Sequence, residues 1–179
     1  MNWNSAAIID FWFTNKPKWF LKEPEFDALI KKKFFVVYNQ VINNELDRWN
    51  SKAEDILSLI LVLDQFPRNM FRDTPKAFSG DKLALAWAKE AIKKEFGLKL
   101  NQEKRMFLYM PLMHSELLPD QELSVELYSK INNINILNYA IAHHDIISKF
   151  GRFPHRNKIL GRVSTPEEVA FLSTPNSSF

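Results

Sequence analysis

The chain contains no cysteine, which excludes a disulfide framework, a thiol nucleophile and every zinc site built on thiolates. Histidines and carboxylates remain as the only strong metal ligands. Glycine is nearly as scarce. Four residues in 179 argue against a hairpin-rich β fold, whose tight turns need positive φ, and against a Gly-rich phosphate loop. No Walker-type loop, GxGxxG, GxSxG, HExxH or EF-hand loop occurs, so the common enzyme signatures are missing. A strong excess of one charge is lacking too: 24 basic residues are interspersed with 21 acidic ones for a net charge of +3. Nucleic-acid binding usually shows more. The opening MNWNSAAIIDFWF has no basic region and soon meets Asp10, so it reads as neither a signal peptide nor a membrane span. These absences predict a cytoplasmic protein with no membrane or nucleic-acid partner, no cofactor and no metal.

What is present is aromatic and helical. Fifteen Phe, five Trp and four Tyr predict a core wedged with rings. A length of 179 residues suits one domain with a sizeable core, and a loose tail is expected at 173–179. Apolar residues recur at helical spacing in segment after segment, which predicts an all-α protein of about nine or ten helices. The first runs over residues 3–13 with Trp3 on its inner face, and Trp19-Phe20 folds back onto the core. Pro24 starts a second, and the pattern continues from Phe34 to Leu46. Ser51 with Glu54 reads as a capping box for a helix that is apolar almost all round from Ala53 to Leu63. Asp64, seven residues beyond Leu57, returns to that helix's inner side and so needs a cation such as Arg68. Ser79 to Phe96 reads as an amphipathic helix ended by Gly97.

The chemistry concentrates in Lys149 to Arg162, KFGRFPHRNKILGR, where five cations and His155 occur in fourteen residues without a carboxylate. Something acidic should answer it. Gly151 reads as a helix C-cap, and Phe153-Pro154 restarts the chain. A helix opening at Pro154 would aim its free N–H groups at the region of Arg152, His155 and Arg156, the arrangement of an anion site. Upstream, Ile136, Ala140, His143, Ile147 and Phe150 follow steps of 4, 3, 4 and 3, an inward seam that buries His143. His144 lies about 100° round the helix and faces elsewhere. Thr165-Pro166-Glu167-Glu168 opens a last helix by cap-then-acid logic.

The motifs LDQFPRN, FLYMPLMHSE with DQ shortly after, YAIAHHDIISKFGRFPHRNKILGR and STPEEVAFL, in this order, resemble the bacterial family called domain of unknown function 924. The likeness runs from IIDFWF to PNSSF. It implies a tetratricopeptide-like α-α superhelix, with no established activity. The matching polar positions are Asp64, Gln65, Arg68, Asn69, His114, Ser115, Glu116, Asp120, Gln121, His143, Arg152, His155, Arg156, Asn157 and Arg162. Asp73 departs from the family pattern, which has Gly there.

Three readings of this polar set stay open. In the first, Arg68, Arg152 and Arg156 bind phosphate or carboxylate groups, with Asp64, His114, Asp120, Gln121, His155 and Asn157 around them. His143 and Glu116 are then proton-transfer candidates, and the concrete version is a hydrolase or transferase. In the second, a helical scaffold holds a peptide, and His143 is structural. In the third, His114, Glu116, Asp120 and His143 or His155 hold a metal, although no diagnostic spacing requires one. Against all three stands a plain network of ion pairs between helices, which contributes little net stability compared with apolar packing.

Overall fold

The computed structural model describes residues 4–43, 45, 51–175 and 177. The expectations for Trp3, for the chain's path at Leu46 and for Phe179 lie outside these residues. The protein is all-helical as expected: the described residues form nine α-helices with short 3-10 turns and contain no strand. They divide into two compact units. One comprises Met1–Arg72 with Lys76–Pro111, the other Asp73–Pro75 with Leu112–Phe179.

The first unit holds α1 (Ser5–Thr14), α2 (Pro24–Ile42), α3 (Ala53–Ile60), α4 (Phe66–Met70) and α5 (Asp81–Lys93), followed by most of α6 (Gln102–Met113). Asn4 caps α1 through the N–H of Ala7, and Asn101 caps α6 through that of Lys104. Rings fill the core as the composition demands. Trp12 lies 5.7 Å from Phe66 and 5.6 Å from Phe107 between ring centroids, and Phe34 lies 4.5 Å from Phe66. Trp19 does fold back, with its ring 4.6 Å from Phe107 and its Nε1 donating to Trp12 O. Phe20 beside it is largely exposed. Lys31, Lys32 and Lys33 are solvated in the middle of α2.

The apolar α3 segment does not stop at Ile60. It widens into a π-helical turn over Leu61–Gln65 before continuing as α4. Pro67 has no N–H for Leu63 O, the acceptor an α-helix would assign it, and Phe66 N–H reaches back five residues to Leu61 O. A Cβ on Gly80 would meet Leu63 O at 2.2 Å, so only glycine fits beside that carbonyl. The π turn leaves Asp64 fully buried and Gln65 nearly so.

Three local expectations are overturned here. Ser51 and Glu54 form no capping box: the N-cap is Lys52, and Ser51 Oγ donates to Asp55 Oδ2 at 3.3 Å instead. The helix read over Ser79–Phe96 is shorter, Asp81–Lys93. Its left-handed terminus is Glu95 at φ 54°, while Gly97 sits in the following 3-10 turn. Gly97 has a packing duty, since a Cβ there would come within 2.0 Å of the Tyr109 hydroxyl. The departure at Asp73 is explained by its φ of 60°, a left-handed position that glycine enters at the least cost.

Candidate functional site

In the second unit, α7 (Leu118–Ser129) packs on α8 (Ile134–Phe150), and α9 (Pro166–Leu172) follows. The buried side of α7 is polar: Asp120, Gln121, Ser124 and Tyr128. Asp120 accepts from Ser115 Oγ at 2.8 Å, and Gln121 Nε2 donates to Met113 O at 2.8 Å and Ser115 O at 2.6 Å. Gln121 thus closes carbonyls left open where α6 ends, while Asp120 holds the Ser115 hydroxyl beside them.

The predicted seam of α8 forms. Ala140, His143 and Ile147 are buried, with Ile136 and Phe150 half-buried at its ends, and His144 lies off it beside Asp145. His143 Nδ1 lies 2.7 Å from Tyr139 O. A carbonyl only accepts, so Nδ1 carries the proton, and in the neutral ring Nε2 bears the lone pair. Gly151 closes α8 at φ 66°, its N–H bonding Ile147 O at 2.8 Å. The chain then turns inward, burying Phe153 against Ile146 and Ile147.

No helix opens at Pro154. Residues Pro154–Arg156 make a single 3-10 turn, and further turns carry the chain to Gly161 at φ 66°. One such turn has no aligned run of peptides, so the expected helix-terminus anion site is absent. Phe153 N–H itself is taken by Glu116 Oε1 at 2.8 Å.

The acid that the basic segment calls for lies inside the unit. Arg162 grips Glu116 with two parallel bonds, Nη1 to Oε2 at 2.7 Å and Nη2 to Oε1 at 2.9 Å, and also reaches Phe153 O. Arg152 grips Glu168 in the same way, at 2.6 and 2.8 Å. Asn157 Nδ2 joins Glu168 Oε2 at 3.2 Å, and Thr165 completes the expected capping box. The Arg152 guanidinium pulls the Glu168 carboxyl down to about 2. Burial would raise Glu116, but the hydrogen bonds of Arg162 and of Phe153 N–H and the charges of Arg162 and Arg156 hold it below its ordinary value.

His143, His155 and Arg156 gather on Phe153. Its ring centroid is 5.5 Å from that of His143 and 5.5 Å from that of His155, and the Arg156 guanidinium lies 4.5 Å over it. The His114 ring is 6.2 Å from His143. His143 and Arg156 are buried, while His114 and His155 are half-buried. Burial first, then the charges of His114, Arg156 and His155, push His143 down to about 3 against the opposing Tyr139 carbonyl. Burial and Arg156, with smaller pushes from His114 and Arg162, lower His155 to about 4 although Glu116 opposes them. Both rings are neutral at pH 7.

Asp64 and Arg68 belong to the first unit. Arg68 Nη1 donates to the Asp64 carbonyl and lies 3.3 Å from Asp64 Oδ1, and the same guanidinium pairs with Asp81 at 2.9 and 3.2 Å. Asp64 therefore has the cation partner expected for it. Among the described residues no group of three or more histidines and carboxylates is placed to hold a metal ion. No helix among them is long and apolar enough to cross a membrane.

Sequence reasoning missed Arg162 and Glu168 as organising residues. The Thr165-x-x-Glu168 spacing signals the cap, but nothing local signals an arginine sixteen residues away.

A family model described as bacterial protein of unknown function, DUF924, matches residues 8–176. The chain is similar to the solved structure of a protein of unknown function from Agrobacterium tumefaciens, at 39% identity and a TM-score of 0.90, over 94% of this chain and 96% of that one. Comparison with curated proteins gives no match.

Proposed function

Since the chain belongs to the bacterial family of unknown function DUF924, whose description carries no activity, we propose from its own geometry that the second unit binds a small phosphate- or carboxylate-bearing ligand. The observation that carries this reading is the gathering of the His143 and His155 imidazoles and the Arg156 guanidinium on Phe153, with the His114 ring beside His143. Glu116, the acid that acts on His155 and Arg162, is held in a bidentate grip. Arg152 is likewise matched by Glu168 and serves to hold the frame.

The electrostatics support the same reading. Charges on His114, Arg156 and His155 each oppose protonation of His143, so an anion seated among them would relieve that opposition and raise both depressed histidines. His143, with Nδ1 spent on Tyr139 O, would offer Nε2 to a proton on the ligand or on a water beside it. That is the role of a general base. The catalytic form of the proposal is a hydrolase or transferase acting on a phosphorylated or carboxylated metabolite, with His143 as base and Arg156 holding the anionic group.

A thermal-shift titration tests the binding. Phosphate should raise the melting temperature above that in chloride of equal ionic strength, because a ligand of the native state alone stabilises it; a concentration ten times Kd contributes about 1.4 kcal/mol. Arg156→Gln should remove the response. A wild-type protein indifferent to phosphate, or an Arg156→Gln protein that responds equally, would sink the proposal.

A further inference from the structure

Lys76, in the first unit, carries its ammonium into a cup of three aromatic rings. Its Nζ lies 4.5 Å from the centroid of Phe71, 5.6 Å from that of Phe35 and 6.0 Å from that of Tyr38. All three are within the range at which a ring face attracts a cation. The rings are inclined rather than stacked. Phe35 and Phe71 meet at 70° with centroids 6.3 Å apart, and Tyr38 and Phe71 at 59° and 5.4 Å. Phe35 and Tyr38 share a face of α2 because residues three apart on a helix are neighbours, and Phe71 caps α4.

The cup has a fixed floor and an open rim. Tyr38 is buried, whereas Phe35 and Lys76 are exposed. Ser79 Oγ donates to Lys76 O at 2.6 Å and lies 2.6 Å from the Tyr38 hydroxyl, which therefore donates to it. The backbone of the residue filling the cup is thus tied to the floor, while its long side chain reaches in from outside. No ion pair among the described residues involves Lys76.

We propose that this cup is a binding site for a quaternary ammonium group, and that Lys76 is its displaceable internal occupant. A primary ammonium is a compact, strongly hydrated charge with three N–H donors, so three ring faces satisfy it poorly. A quaternary ammonium has no N–H to satisfy and presents methyl groups to the rings, which is the chemistry aromatic cages recognise. A free choline-like molecule and a trimethyllysine side chain in a peptide share it.

The experiment measures binding of choline, of a trimethyllysine peptide and of 3,3-dimethyl-1-butanol, the neutral isostere of choline, by saturation-transfer NMR and calorimetry. Lys76→Ala should bind a quaternary probe roughly ten-fold more tightly than wild type, since one cation–ring competitor is gone. The double variant Phe35→Ala with Lys76→Ala should lose that binding, and it changes only exposed residues, so its fold should survive. Preference for choline or for the peptide identifies the source of the ligand, and either supports the site. Failure of Lys76→Ala to bind either quaternary probe overturns the proposal. So does equal binding of the neutral isostere, or retention of binding without Phe35.

Discussion

Replacing Arg68 by methionine is expected to destabilise the fold by about 3–5 kcal/mol, the range for removing one partner of a buried ion pair. Asp64 is wholly excluded from solvent, and the guanidinium is bound to its carbonyl and lies 3.3 Å from its carboxylate. Burial alone would lower the affinity of Arg68 for its proton, yet Asp64 and Asp81 together raise it, so both carboxylates favour the charged form. The cost should be unequal across the triad. Asp81→Asn leaves Arg68 with Asp64 and should cost much less, and Arg68→Met with Asp64→Leu should recover most of the loss, because apolar replacements of both partners leave no buried charge. Urea unfolding of the three variants and of wild type gives these values. An Arg68→Met protein within 1 kcal/mol of wild type would show that the pair does not matter.

A comparable loss of stability is expected on mild acidification. His143 and His155 have folded pKa values near 3 and 4 against an ordinary 6.5. Above 6.5 neither state binds a proton at these rings, so their full contribution is present there. Below it the unfolded chain takes up protons that the folded one refuses, and stability falls by about 1.4 kcal/mol per pH unit for each histidine. The lowered carboxylates act in another window. Glu116 and Glu168 have an ordinary value of 4.5 and folded values below it, so their contribution is present above 4.5 and is lost only as pH drops further. Between pH 6.5 and 4.5 the two histidines alone should remove up to roughly 5 kcal/mol. Unfolding free energies measured across this interval should slope steeply for wild type and flatten for His143→Gln with His155→Gln. A flat wild-type profile would mean that these rings are not held neutral by burial and neighbouring charge.

Periodicity made the inward residues legible. The steps of 4, 3, 4 and 3 placed His143 on the buried seam, and the seven-residue return from Leu57 placed Asp64 inside with Arg68 beside it. Caps were legible where local chemistry decides them, at Gly151 and Thr165. They failed where tertiary packing overrides it. Gly97 is reserved for the Tyr109 hydroxyl, so Glu95 takes the left-handed position. The basic segment showed that acids must answer it but not which ones, since Glu116 and Glu168 lie forty-six residues before Arg162 and sixteen after Arg152. That pairing sets the frame around Phe153. It commits Arg152 and Arg162 to the frame, while Arg156, His143 and His155 meet on Phe153 with His114 beside His143, in place of the helix terminus that the Phe-Pro step suggested.

The most direct test of an anion site among these histidines is a calorimetric titration with sulfate near pH 6 in two buffers of different ionisation heat. Sulfate does not itself titrate near neutral pH, so any proton taken up on binding enters the protein. The expected result is binding accompanied by net proton uptake, with the uptake lost in His143→Gln with His155→Gln. No binding beyond a chloride control of equal ionic strength, or a proton uptake unchanged when both histidines are gone, would contradict it.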